Sequence, residues 1–197
     1  MAQVVTNIEV TSGPRDRKTV FWRGILVAPV AIFISTFTNS WSNTSTYYYS
    51  TGIIVAPVAL ALIFRGKYPS YLLAFNKSLM ELSLRFGAYL FLLTDEYPSI
   101  EANPKFTIEL PDVDQGRALN QFMPLIKWFL AIPLYIFGFF YVLYAIILTF
   151  FAWIITSATG EYPEWAKSHV LKTISYINRV YGYAFLLVTD EYPSFNL

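Results

Sequence analysis

The chain contains no cysteine, which excludes disulfides, thiolate metal ligands and cysteine nucleophiles. It has one histidine, His169, set among Lys167, Ser168 and Lys172, where it reads as a solvated helix residue. No Ser/His/Asp grouping, phosphate-cradling glycine loop or histidine-rich metal spacing is present. The sequence therefore nominates no catalytic residue, no cofactor site and no metal ligand set. Charge is also scarce. Asp, Glu, Lys and Arg make up 14% of the chain, against roughly 25% in soluble proteins. The net charge of +1 gives no footprint for nucleic acid.

The positions of the missing charges carry more than their number. No charged residue falls between Gly24 and Phe64, or between Trp128 and Gly160. Apolar residues reach 55% and mean hydropathy is +0.45. A helix crosses the hydrocarbon core with about 20 residues, so one straight helix through either window is roughly twice too long. Two membrane hairpins are expected, at about 21–65 and 122–157. In the first window the polar run from Asn39 to Thr46 supplies the turn. In the second, Gly138 is the most plausible turn, and the alternative is one tilted helix from Pro124 to Thr156. The repeat described next favours the hairpin.

The chain says one thing twice. Leu92–Ser99 reads LLTDEYPS and Leu186–Ser194 reads LLVTDEYPS. Arg85 and Tyr89 precede the first copy as Arg179 and Tyr183 precede the second. Gly66-Lys67-Tyr68-Pro69 answers Gly160-Glu161-Tyr162-Pro163. The spacing is 94 up to Leu93, and one extra residue, read as Val188, makes it 95. Pro29 and Pro133 match at a spacing of 104, so the first turn holds about ten more residues. Two units follow, 1–100 and 101–197.

Each unit reads as a short extended segment, a membrane hairpin, a Tyr-Pro break and a long helix. The extended segments are Asn7–Val10 and Phe106–Leu110. The helices are expected at about 70–93 and 164–187. In the second, Val170, Ile174, Ile177, Tyr181 and Ala184 share one face, and Lys167, Lys172 and Arg179 lie mostly on the other. Such a helix suits the membrane interface. In the first, Lys77, Glu81 and Arg85 recur about every turn, and burying each in a crossing costs about 2.5–3.5 kcal/mol. The expected fold is thus an all-α integral membrane protein of tandem two-helix hairpin repeats, each with an interfacial amphipathic helix and a short cytoplasmic β segment. Lys and Arg flank the apolar windows, and the hairpin tips carry no charge, which places both termini in the cytoplasm. Two crossings per unit give the units one orientation, about an axis along the membrane normal. Trp41 and Tyr47-Tyr48-Tyr49 are expected at the outer interface, and Asn43-Thr44-Ser45 forms a weak sequon.

The candidate site is the repeated motif: Arg85, Tyr89, Thr94, Asp95, Glu96, Tyr97 and Pro98, with Arg179, Tyr183, Thr189, Asp190, Glu191, Tyr192 and Pro193. The expected arrangement is a structural lock in which Arg85 and Arg179 fork onto the Asp-Glu pairs. The alternatives are a hard cation such as Ca²⁺ or Mg²⁺ held by both pairs, and a docking motif for a partner. Ionisable residues, usual in channels and pumps, are absent from both windows.

Gly-x-Tyr-Pro, Arg-x-x-x-Tyr and Leu-Leu-Thr-Asp-Glu-Tyr-Pro, met twice over nearly the whole chain, resemble the hallmark of the DUF4389 family of prokaryotic integral membrane proteins. The chain departs from that pattern at Val188, and at Ser99 and Ser194, where the family often has a second proline. The resemblance implies a prokaryotic plasma membrane and no assigned activity. The residues themselves fit a non-catalytic accessory or scaffold subunit. Its partners are the lipid bilayer and other integral membrane proteins, or further copies of itself. The alternative is lipid or small-molecule binding or transport, through a cytoplasmic-side cavity between the repeats.

Overall fold

The computed structural model describes residues 3–35 and 55–197. The expected turn at Asn39–Thr46, the sequon and the tyrosine run lie outside the described residues. The chain is mostly helical. In order come β1 (Val5–Ile8), α1 (Arg17–Leu26), α2 (Ala28–Ser35), α3 (Ala56–Arg65), α4 (Ser70–Leu90), β2 (Phe106–Glu109), α5 (Met123–Leu130), α6 (Ile132–Thr159) and α7 (Glu164–Tyr181). A 3₁₀ turn at Asp114–Gly116 precedes α5, and a π turn at Gly182–Leu186 extends α7. Two stretches, Arg17–Ser35 and Ile132–Thr159, are long and apolar enough to cross a membrane.

Proline shapes both stretches. Pro29 and Pro133 stand at the start of α2 and α6, and lack the N–H that a helix interior uses. The chain kinks just before each, at Val27 and Ala131. Both kink residues keep right-handed helical angles and helical hydrogen bonds on either side. The path bends without reversing.

The second hairpin is corrected by this geometry. No turn occurs at Gly138, and α6 runs unbroken for 28 residues. Gly138 serves close packing instead: a Cβ there would lie 3.3 Å from Ile177 Cδ1 and 3.4 Å from Tyr176. Along the same line Tyr176 donates to Leu134 O (3.0 Å), and Tyr144 meets His169 edge-on at 5.5 Å. α6 and α7 therefore run antiparallel, side by side. Far along α6, Arg17 donates to Thr159 O and Trp153 donates to Val20 O, so α1 covers that half. Gly66 and Gly160 close α3 and α6 in the left-handed conformation that glycine adopts without a Cβ clash.

The strands pair antiparallel, with Asn7 opposite Thr107, forming a small two-stranded sheet. The first strand sits two residues earlier than its expected position. The strands also cross over between halves. β1 lies against α7 and β2 against α4. Asn178 Nδ2 donates to Thr6 Oγ1 (3.0 Å), and Ile108 N donates to Glu81 Oε1 (3.2 Å). Leu72, Met80, Leu84, Phe106, Ile108, Val170 and Leu186 form the core beneath this sheet.

Reciprocal contacts tie the halves together. Tyr68 Oη donates to Leu186 O (2.6 Å), and Tyr162 Oη donates to Phe91 O (3.1 Å). The two tyrosines occupy matching sequence positions, and each accepting carbonyl belongs to the residue just before a left-handed leucine, Leu92 or Leu187. Each Tyr-Pro tyrosine thus caps the end of the other half's long helix. The start of each long helix therefore meets the end of the other, and α4 and α7 run antiparallel.

Candidate functional site

Each Thr-Asp-Glu-Tyr-Pro segment follows a long helix that must stop abruptly. Leu92 and Leu187 supply the stop, with left-handed φ values of 66° and 60°. That conformation is uncommon for a residue with a Cβ, yet it recurs at the matching position of both copies. Tyr89 and Tyr183 are 94 apart, whereas these leucines are 95 apart. The extra residue of the second copy is therefore taken up in the π turn Gly182–Leu186, not at Val188. A π bulge accommodates one inserted residue without breaking the helix.

Threonine sets the next turn. Thr94 Oγ1 accepts from Glu96 N, and Thr189 Oγ1 accepts from Glu191 N, each at 3.1 Å. Both threonines are buried, as are Pro98 and Pro193. The tyrosines pack edge-on in both copies: Tyr89 on Tyr97 at 5.9 Å, and Tyr183 on Tyr192 at 5.7 Å. Tyr192 Oη also donates to Leu130 O (3.1 Å).

The partners of the aspartates differ from the expected ones. Arg23 of α1 pairs with Asp95. Its Nη1 also donates to Tyr89 O (2.8 Å) and Thr94 O (2.9 Å), and the guanidinium lies 4.5 Å over the Tyr89 ring. In the second copy Lys127 of α5 takes the same place. Its Nζ donates to Thr189 O (2.7 Å), lies 2.7 Å from Asp190 Oδ1, and sits 5.3 Å over the Tyr183 ring. Asn120 N donates to Asp190 Oδ2 (2.7 Å). Arg23 and Lys127 are 2% and 1% exposed, so neither charge can be satisfied by water.

Arg85 and Arg179 do not fork onto the Asp-Glu pairs. Arg85 donates to Ser99 O (2.9 Å) and Ile100 O (3.4 Å), and Arg179 donates to Asn196 O (2.6 Å). They hold the chain just beyond the motif. Long side chains near a helix C-terminus reach the following carbonyls more readily than they fold back. Glu96 turns outward, where Lys105 (2.9 Å) and Asn103 (2.7 Å) hold its carboxyl below the usual range. Among the described residues no three His, Cys, Asp or Glu side chains gather to hold a metal ion.

Sequence reasoning counted Arg23 and Lys127 only as flanking positive charge. A signal for them was present. Each stands six residues before its matching proline, Pro29 or Pro133. Chemically, the site is a pair of buried cation–carboxylate locks. Each fastens a kinked apolar helix to the end of a long amphipathic one. The chain matches no family model, no curated protein and no solved structure.

Proposed function

We propose that the protein is a non-catalytic integral membrane protein of a prokaryotic plasma membrane, acting as an accessory or scaffold subunit of a larger membrane assembly. One observation carries the reading. The aspartates and arginines of the repeated motif are engaged within the fold, while α6 turns an apolar surface outward. Only 17% of the most apolar window of α6 is buried, and Phe139, Phe140, Phe150 and Phe151 all stand exposed. The core helix of a soluble protein has the opposite distribution. Membership of the DUF4389 family, with tandem repeats on a common axis, belongs to the same proposal. Native mass spectrometry after gentle solubilisation tests the subunit role. A partner at fixed stoichiometry supports it, and a lone chain or homo-oligomer from the source membrane overturns it.

The charge pattern supports a multi-pass chain with both termini cytoplasmic. The packing of α6 favours a second arrangement. Leu134 O near one end and Thr159 O at the other are held by Tyr176 and Arg17, so α6 is flanked along its length by α7 and α1, helices that carry charged residues. Embedding by one face satisfies that packing without placing Lys172 or Arg179 mid-membrane. Asn43→Cys separates the two: labelling from outside requires the first window to cross. The cavity of about 230 Å³ between α4, α6 and α7 is the feature that favours small-molecule binding. It is bounded by Leu84, Gly87, Val170, Thr173 and Asn178.

A further inference from the structure

The two locks differ in charge balance. In the second, one cation, Lys127, meets one carboxylate, Asp190. In the first, Arg15 joins Arg23 around Asp95. Arg15 is 5% exposed, is attracted by Asp95 and repelled by Arg23, and donates to Leu93 O (2.9 Å). Burial pushes its guanidinium pKa down, though arginine stays charged. The matching approach to α5 holds a single arginine, Arg117, and it is exposed. Arg15 Nε, Arg15 Nη1 and Arg23 Nε are buried with no hydrogen-bond partner among the described residues. A buried surplus of positive charge with idle donors calls for an anion.

Beside this surplus lies an apolar groove of about 450 Å³. Phe21, Gly24, Phe91, Phe150 and Trp153 line it, and Arg23 is its charged residue. The second copy shows why the groove exists. At the spacing that matches Arg23 with Lys127, Gly24 corresponds to Trp128. The Trp128 indole donates to Ala184 O (2.8 Å). Ala184 corresponds to Leu90, which also lines the groove. One copy fills with its own tryptophan the place that the other leaves open.

The geometry points to a binding site for an anionic phospholipid, with its acyl chain in the Gly24 groove and its phosphate drawn to Arg23 by the Arg15–Arg23 surplus. A neutral lipid leaves the surplus unmet, and free phosphate leaves the groove empty. The site rests on membrane residence but not on the accessory role.

The test uses full-length protein, delipidated in detergent and titrated with phosphatidylglycerol, phosphatidylcholine or inorganic phosphate, read by thermal shift and native mass spectrometry. One phosphatidylglycerol is expected to bind per chain and raise the melting temperature, with phosphatidylcholine and phosphate giving no shift. Gly24→Trp copies the filled state, and a Cβ at Gly24 meets nothing within 4 Å. It is expected to abolish binding with no loss of melting temperature in the absence of lipid. Gly24→Leu replaces it if the tryptophan does not fold. Arg15→Gln is expected to weaken binding about tenfold or more, as for loss of a charge-assisted contact. Equal shifts from both lipids, a shift from phosphate alone, or full binding by the Gly24 variants overturns the site. Extraction from membranes without detergent would instead overturn membrane residence.

Discussion

Replacing Arg23 with methionine removes three hydrogen-bonded contacts at once, those to Tyr89 O, Thr94 O and Asp95. Breaking a buried ion pair from one side costs about 3–5 kcal/mol. The Asp95 side chain keeps 25% exposure, so water recovers part of that cost. The lower end, about 3 kcal/mol, is expected for Arg23→Met. For a chain of this length, each kcal/mol moves the melting temperature by about 2–4 °C, so a drop of about 6–12 °C follows. Asp95→Asn leaves Arg23 its two carbonyls and is expected to cost less, about 2 kcal/mol. The double variant decides the matter. Residues in one network couple by about 0.5–3 kcal/mol, so Arg23→Met with Asp95→Asn is expected to cost clearly less than the two single losses combined. Thermal unfolding in a fixed detergent gives all three values. Arg85→Met with Asp95→Asn is the control. Arg85 bonds Ser99 O and Ile100 O, so that pair is expected to add. Additive losses for Arg23 and Asp95, or coupling for Arg85 and Asp95, would refute the lock as described.

Tyr68→Phe and Tyr162→Phe each leave one helix-end carbonyl of the opposite half unpaired. Each is expected to cost about 1–3 kcal/mol, read as a fall in melting temperature. Alkaline pH tests the same pair. Burial raises the pKa of both phenols, so the fold favours their neutral forms. Their stabilisation is fully present below about pH 10, where unfolded tyrosine ionises, and is lost as pH rises toward the folded values. A melting curve against pH is expected to fall beyond pH 10, less steeply in the double phenylalanine variant. Gly138→Leu forces α6 from Ile177 and Tyr176 and is expected to cost about 1–3 kcal/mol. A turn at Gly138 would tolerate the change better, so an unchanged melting temperature would count against the α6–α7 packing.

The long helices were readable because their signals are local. The Tyr-Pro breaks and amphipathic spacing placed α4 and α7 nearly at their observed ends. The strand segments were visible as short extended runs, but their exchange between halves was not, because pairing over about a hundred residues leaves no local trace. Gly138 misled for a physical reason. Glycine permits a turn and also permits close helix packing, and only the neighbouring α7 decides between them. The motif is legible in the sequence as a repeat that carries the two aspartates. Their partners were missed because Arg85 and Arg179 stand nearer in sequence than Arg23 and Lys127. The two cations differ in residue type, which hid their equivalence until the prolines aligned them. The extra residue was assigned to Val188 by letter matching, whereas backbone geometry absorbs it in the preceding π turn.

Membrane residence requires that α6 meet lipid and that the charged segments meet the cytoplasm. A cysteine-free chain allows single-cysteine labelling in its native background. Cysteines at Ser12, Glu101 and Ser194 probe the charged segments, and cysteines at Phe139 and Phe151 probe α6; all five positions are exposed. A membrane-impermeant maleimide is expected to label the first three only once the cytoplasmic face is opened, and to label the α6 pair from neither side. Labelling of α6 from water, or of the first three in intact cells, would contradict it.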